Sequence, residues 1–304
     1  MIRILGTTLA ALLGLAFGSF LNVCLSRWPE GESVVKPRSH CRNCGRMLSW
    51  WENVPLVSWI ALRGRCRTCH EKISWRYPLV ELALGVLSAV TIWQIFPAML
   101  LPDLSLTEGP LIFLYSSGAD VAIGRVILYW LLVALAVVDA ENLWLPNWLT
   151  IPGIILGILF TSSHFVLAEW LAEGPYISIL GTLSNSLIGS AVAIVAAGGL
   201  ILLIRWTYWL IRRREGIGLG DAKLMAMLGA WLGLSGALLS FAIGVLLGAG
   251  FAIVVLAVPK ARRESDTWLL SKLPLGSFLC IGGIISALWG QPLIAAYLHF
   301  VGLR

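Results

Sequence analysis

Two aspartates stand at the edges of long apolar stretches, where a charged side chain is costly. Asp139 ends one stretch, in "ALAVVDAENLWLPNWLTIPG", and Asp221 begins another, in "GIGLGDAKLMAMLGAWLG". Carboxylates inside a bilayer or at its rim are expensive, and they mark sites of transport, proton transfer or catalysis. Where two such carboxylates meet, they share a proton, which is the arrangement of an aspartic protease dyad.

Such a dyad divides the work of hydrolysis between its two members. The ionised carboxylate takes a proton from water, and the protonated one hydrogen-bonds to the scissile carbonyl. Gly218 and Gly220 precede Asp221 and would let an extended substrate backbone approach it closely. On the residues alone, two other interpretations stay open for Asp221: a helix N-cap, or the cation or proton site of a transporter.

Four cysteines form two C-x2-C pairs, in "HCRNCGR" and "GRCRTCHE". The cysteines are Cys41, Cys44, Cys66 and Cys69. Thiolate pairs at this spacing converge on one tetrahedral zinc ion, and four thiolates leave no open position, so the metal would be structural. Disulfides or reactive thiols are the alternative, and a reducing cytosol disfavours structural disulfides. His40 and His70 abut the pairs and could each replace a cysteine.

The aspartates must be positioned by helices, because the chain is 58% hydrophobic and only 12% charged. Its apolar stretches approach or exceed the roughly 20 residues that cross a bilayer, and uninterrupted apolar runs fit helices rather than a membrane barrel. The sequence predicts an all-α polytopic membrane protein with about eight transmembrane helices. The predicted spans are 4–26, 78–100, 121–139, 148–168, 177–206, 222–236, 237–258 and 275–298.

Only one segment between the predicted spans, residues 27–77, is long enough to fold by itself. A chain of about fifty residues builds only a weak apolar core, so its fold needs a metal site or disulfides for stability. The four cysteines supply a zinc site for this purpose. We therefore predict three parts: a first transmembrane helix in 1–26, a small zinc-binding domain in 27–77 and a transmembrane domain in 78–304.

Basic residues are concentrated in alternate connections between the spans. Ten lie in 27–77, and the two later connections of this kind contain Arg205, Arg212, Arg213, Arg214, Lys260, Arg262, Arg263 and Lys272. The intervening connections, 101–120 and 169–176, carry only acidic charges: Asp103, Glu108, Asp120, Glu169 and Glu173. The positive-inside rule then places the N-terminus outside and the basic segments in the cytoplasm. Both aspartates fall at cytoplasmic helix ends, at similar depth, where they can meet.

The basic residues also bear on the partners of the chain. The formal charge of +6 is best explained by orientation and by contact with anionic lipid headgroups. We expect membrane lipids as partners and no nucleic acid.

Several motifs in order resemble the type IV prepilin peptidases, bifunctional leader peptidases and N-methyltransferases. They are "GSFLNVCLSRWP" at 18–29, the cysteine segment followed by "RYPLVELALG", "DAENLWLPNWLTIPG" from Asp139, and the G-x-G-D signature at 218–221. The resemblance covers most of the chain, and it makes 78–304 the peptidase domain. It implies that Asp139 and Asp221 are the catalytic pair, and that the cysteine domain is associated with methyl transfer.

The resemblance also implies substrates and cofactors. The enzyme would cleave the basic leader of prepilins and pseudopilins after a glycine, at the cytoplasmic face of the bacterial inner membrane. It would then methylate the new N-terminal residue with S-adenosylmethionine. A secondary transporter is the alternative, but it predicts pseudo-symmetric halves that the sequence does not display. A zinc-bearing assembly platform without catalysis is a weaker one.

Some positions stay unexplained. No Gly-rich nucleotide loop marks an S-adenosylmethionine site. The methyltransferase candidates are Asn22, Glu52, Asn53 and Glu81, and a structural role explains each equally well. Ser277, in "LPLGSFL", stands where the family often has proline, and we expect a local packing change with the chemistry intact. Lys223 is either a charge partner of the dyad or a snorkelling side chain.

Overall fold

The structure is a computed structural model that describes residues 1–99, 118–173, 179–214, 218–257 and 274–302. Within these ranges the chain is helical, and its only extended pairings are two isolated bridges, His40 with Met47 and Arg65 with Lys72. The following residues considered above lie outside the described ranges: Asp103, Glu108, Lys260, Arg262, Arg263 and Lys272.

Eight α-helical elements are present in the described ranges, numbered here in chain order. They are α1 Ile2–Arg27, α2 Val57–Ala61, α3 Arg76–Met99, α4 Ala119–Asn142, α5 Asn147–Glu173, α6 Ile179–Arg212, α7 Leu219–Ala257 and α8 Leu275–Phe300. All except the short α2 are long and apolar enough to cross a membrane, which gives seven candidate membrane helices. The prediction of an all-α polytopic membrane protein, with the cysteine segment between its first two membrane helices, is confirmed.

The predicted spans 222–236 and 237–258 correspond to the two parts of α7, which are two helices joined across a kink at Gly233. The kink lies at Gly233, whose φ of 68° and ψ of 179° are not helical. Nothing lies within 4 Å of a Cβ built there, so this position needs glycine for its backbone conformation and not for space. A Cβ at Gly248 in the second part would lie 3.3 Å from the ring of Phe278, next to the Ser277 that hydrogen-bonds Asp139, so the second part returns towards the end of α7 that carries Asp221.

The structure divides into two compact units, residues 1–134 and 135–304. In the first unit α1 packs closely against α3 through Gly14 and Gly18. A Cβ at Gly18 would lie 2.6 Å from the Cα of Glu81, so only glycine permits this approach. Small residues four apart are a common device for bringing two membrane helices together.

In the second unit α7 packs against α5, α6 and α8. Leu224, Met225 and Leu228 of α7 are fully buried. A Cβ at Gly229 would lie 2.6 Å from the carbonyl oxygen of Ala193, which shows how closely α6 and α7 approach. The N-terminal turns of α7, which carry Asp221, are therefore held by packing on several sides.

Candidate active site

Asp139 lies three residues before the end of α4 and is 6% exposed. Its Oδ2 accepts a hydrogen bond from the backbone N–H of Ser277 at 2.7 Å, and it lies 3.1 Å from the Ser277 hydroxyl oxygen. The helix ends just beyond, where Leu143 adopts a φ of 54° and Pro146 leads into α5. The carboxylate is thus buried and fixed at the point where the chain turns.

Asp221 is the third residue of α7 and is 8% exposed. Asp139 and Asp221 are close enough that their charges repel each other when both are ionised. The structure therefore brings the two predicted aspartates together from helices 82 positions apart in the sequence. The backbone of Gly218 also interacts with the Asp221 carboxylate, so the same side chain caps its own helix.

Leu145 packs beside both aspartate-bearing segments. A Cβ at Gly220 would lie 2.9 Å from the Cβ of Leu145, and one at Gly276 would lie 3.0 Å from its Cδ1. Gly220 therefore has a packing role. At Gly218 a Cβ would make only an ordinary contact, 3.5 Å from Oδ2 of Asp221. Approach of a substrate backbone to these glycines stays a prediction.

Lys223 does not form its hydrogen bond with the aspartates. Its Nζ donates to Oδ1 of Asn147, the first residue of α5, at 2.6 Å. The bond links the start of α7 to the start of α5. Lys223 thus ties together two helix ends near the dyad, a role that neither sequence interpretation anticipated.

The four cysteines form one cluster, with their Sγ atoms all within 4.8 Å of one another. Sγ of Cys41 and Sγ of Cys69 are 3.7 Å apart, close to the separation that a tetrahedral site with Zn–S bonds of about 2.3 Å requires. The residues present therefore fit a zinc ion. His40 and His70 are outside this cluster, and Nδ1 of His40 instead lies 3.1 Å from the carbonyl oxygen of Arg38.

The two cysteine pairs sit in equivalent turns. Gly45 donates its N–H to the carbonyl of Cys41 at 2.8 Å, and His70 donates to that of Cys66 at 3.0 Å. Both turn residues have positive φ, 69° for Gly45 and 56° for His70. Backbone N–H groups of Cys69 and Thr68 lower the pKa of the Cys66 thiol to about 6, which favours the thiolate that metals bind.

Glu52 supports one of these turns. Its carboxylate pairs with Arg46, with Oε1 2.5 Å from Nη2 and Oε2 3.1 Å from Nη1, and it accepts the N–H of Ser49 at 2.7 Å. The Arg46 hydrogen bonds lower the pKa of Glu52 to about 2. Arg46 follows the turn of Cys41 and Cys44 closely, so Glu52 has a structural role beside the cysteine cluster.

The remaining methyltransferase candidates differ in their surroundings. Asn22 donates to the carbonyl of Tyr77 at 2.9 Å and thereby links α1 to the first turn of α3. Glu81 accepts the N–H of Leu56 at 2.8 Å and thereby attaches the cysteine segment to α3. Asn53 instead lines a cavity of about 310 Å³ in the first unit. Arg27, Arg42, His40, Phe20 and Tyr77 also line this cavity.

Comparison with known proteins identifies the family. Residues 12–95 match the bacterial peptidase A24 N-terminal domain, and residues 126–253 match the type IV leader peptidase family. The prepilin leader peptidase/N-methyltransferase of Stutzerimonas stutzeri is 32% identical, over 97% of this chain and 94% of its own length. The chain belongs to the type IV leader peptidase family. The protein of the same name in Pseudomonas aeruginosa is 33% identical, over 96% of this chain and 93% of its own length.

No solved structure matches the chain. The resemblance seen in the motifs is confirmed, and both aspartates lie within the part that matches the type IV leader peptidase family. All four cysteines lie within the part that matches the N-terminal domain. The contact of Ser277 with Asp139 was not anticipated from the sequence. Its hydrogen bonds join it to a residue 138 positions away, and no local pattern in the sequence indicates them.

Proposed function

We propose that this protein is a membrane aspartic endopeptidase that removes the basic leader of prepilins and pilin-like secretion proteins after a glycine. It then methylates the new N-terminal amine with S-adenosylmethionine. The observation that carries the proposal is the meeting of Asp139 and Asp221, both buried, within the part of the chain that matches the peptidase family. The names of the relatives support the substrate and both reactions.

The dyad performs the hydrolysis by moving protons. The ionised aspartate takes a proton from a water molecule as its oxygen attacks the scissile carbonyl carbon, and the protonated aspartate stabilises the carbonyl oxygen. When the tetrahedral intermediate collapses, the C–N bond breaks and the leaving amine takes a proton from the dyad. The two side chains exchange roles within one cycle, so each must be stable in both protonation states.

The charges of the chain support a cytoplasmic site in the inner membrane. Among the described residues, the basic side chains in the connections between membrane helices lie in the segment 27–77 and at the end of α6. The positive-inside rule places these segments in the cytoplasm and the N-terminus outside. A basic leader is retained on the same side, where it can reach the ends of α4 and α7 that carry the aspartates.

The two cofactors belong to the first unit in this proposal. Cys41, Cys44, Cys66 and Cys69 hold a zinc ion that stabilises the segment 27–77. S-adenosylmethionine supplies the methyl group when bound. The cavity lined by Asn53 has aromatic rings for a base, from Phe20 and Tyr77, and polar groups for an amino acid moiety. Asn53 is therefore the candidate that we retain for direct contact with this cofactor.

The test is cleavage of a prepilin peptide by the purified protein in detergent. Asn is nearly isosteric with Asp but cannot exchange the proton, so Asp139→Asn and Asp221→Asn should each abolish cleavage while the protein still folds. Glu141→Gln is the matched control, because Glu141 is an exposed carboxylate two residues beyond Asp139 on the same helix. Its cleavage rate should equal that of the wild type.

The outcome also separates the proposal from a transporter. Cleavage by either aspartate variant at the wild-type rate would refute the assignment of the dyad. Absence of cleavage by the wild-type protein, together with proton or cation uptake that requires both aspartates, would support a transporter instead.

A further inference from the structure

Ser277 lies in the first turn of α8, with its backbone and its side chain both directed to Asp139. Its N–H donates to Oδ2 of Asp139 at 2.7 Å. Its hydroxyl oxygen lies 3.1 Å from the same Oδ2 and 2.9 Å from the carbonyl oxygen of Ala136. The hydroxyl is therefore placed between one carboxylate oxygen and one carbonyl oxygen.

A serine hydroxyl has a single proton, so it donates to only one of these two acceptors at a time. When Asp139 is ionised, the hydroxyl donates to Oδ2. When Asp139 is protonated at its other oxygen, Oδ1, this proton is free for the scissile carbonyl, Oδ2 still accepts the N–H, and the hydroxyl donates to the Ala136 carbonyl instead. The same two distances suit both arrangements, and only a rotation of the hydroxyl separates them.

We propose that Ser277 is a positioning residue that keeps Asp139 hydrogen-bonded, in one orientation, in both of its protonation states. The inference rests on the proposed function, in which Asp139 alternates between these states during each cycle. The backbone N–H fixes Oδ2 throughout, and the rotating hydroxyl compensates for the gain or loss of the proton. No reorganisation of heavy atoms is needed as the aspartates exchange roles.

The surroundings of the carboxylate strengthen this assignment. A Cβ at Gly276 would lie 2.9 Å from the carboxyl carbon of Asp139, so α8 approaches the carboxylate with backbone atoms and no intervening side chain.

The proposal is tested by steady-state cleavage of a prepilin peptide by Ser277→Ala and Ser277→Thr. Ser277→Ala loses the hydroxyl but keeps the N–H, and loss of one hydrogen bond in the reacting state should lower kcat about tenfold. KM should not change, because Ser277 does not touch the substrate in this proposal. Ser277→Thr retains the hydroxyl and should restore kcat to near the wild-type value.

Ser286→Ala is the matched control on the same helix. Ser286 is also buried, and its hydroxyl donates to the carbonyl of Gly236 at 2.9 Å, away from the aspartates. Rates are compared per folded molecule, with folding measured by thermal unfolding and size-exclusion chromatography. Ser286→Ala should reduce stability and leave kcat per folded molecule unchanged.

Each outcome decides the proposal. A tenfold fall in kcat for Ser277→Ala, with constant KM and rescue by threonine, supports it. Equal kcat for Ser277→Ala and the wild type refutes it, as does an equal loss in Ser286→Ala. If Asp139→Asn abolishes cleavage while Ser277→Ala does not affect it, the dyad stands and only the role of Ser277 is wrong.

Discussion

Substitution of Gly276 should lower kcat strongly, because this glycine lies between Asp139 and Leu145. In a Gly276→Ala variant the new methyl carbon would be 2.9 Å from the carboxyl carbon of Asp139 and 3.0 Å from Cδ1 of Leu145. Carbon atoms normally approach to about 3.5–4.0 Å. Each neighbour is therefore at least about 0.5 Å too close.

Neither neighbour can retreat freely. Leu145 also packs against Gly220, and movement of Asp139 lengthens its 2.7 Å hydrogen bond to the N–H of Ser277. A misplacement of about 1 Å in a catalytic group costs about 100-fold in rate, so we expect kcat to fall by about 10- to 100-fold. Overpacking should also lower the free energy of unfolding by about 1–3 kcal/mol.

The measurement is kcat for cleavage of a prepilin peptide in detergent, per folded molecule. Gly250→Ala in α7 is the control, since nothing lies within 4 Å of a Cβ built at that helical position. It should leave kcat unchanged and should not destabilise the protein. Wild-type kcat in a folded Gly276→Ala variant would show that the carboxylate of Asp139 is not held as the structure has it.

Two further predictions concern the cysteine segment. The hydrogen bonds from Arg46 hold the pKa of Glu52 at about 2, below its usual 4.5, so their stabilisation is complete above pH 4.5 and is lost as the pH falls towards 2. Glu52→Gln should remove this dependence, measured as the unfolding temperature against pH, and unchanged acid sensitivity would contradict the assignment. Replacing Cys41 and Cys44 with serine should release zinc and reduce transfer of labelled methyl groups more than proteolysis, and full methyl transfer in a metal-free variant would contradict a structural metal.

The local sequence determined much of the candidate site. Asp139 and Asp221 are visible because a carboxylate is rare at the edge of an apolar run, and the charge pattern places them at one depth. The spacing of the cysteines predicts their cluster, because two C-x2-C turns converge without any help from the rest of the chain. These features depend on composition and short-range spacing, and both can be read from the sequence.

Hydrogen-bond partners, some of them near in the sequence and others distant, explain why other residues could not be assigned from the sequence. Glu52 was a methyltransferase candidate because it is acidic and near the expected membrane surface, yet its partners are Arg46 and Ser49. Asn22 and Glu81 resemble functional polar residues, but they bind the backbone of Tyr77 and Leu56. The role of such a polar residue can be assigned only when its hydrogen-bond partner is known.

The sequence by itself determined the membrane character, the family and the identity of the aspartates and cysteines, because each follows from residue type and short spacing. Tertiary structure alone decided that Ser277 supports Asp139, that Gly276 leaves room for its carboxylate and that Lys223 binds Asn147. The physical reason is distance along the chain. Hydrogen bonds and close contacts between α4, α5, α7 and α8 exist only after packing has fixed which atoms of these helices face one another.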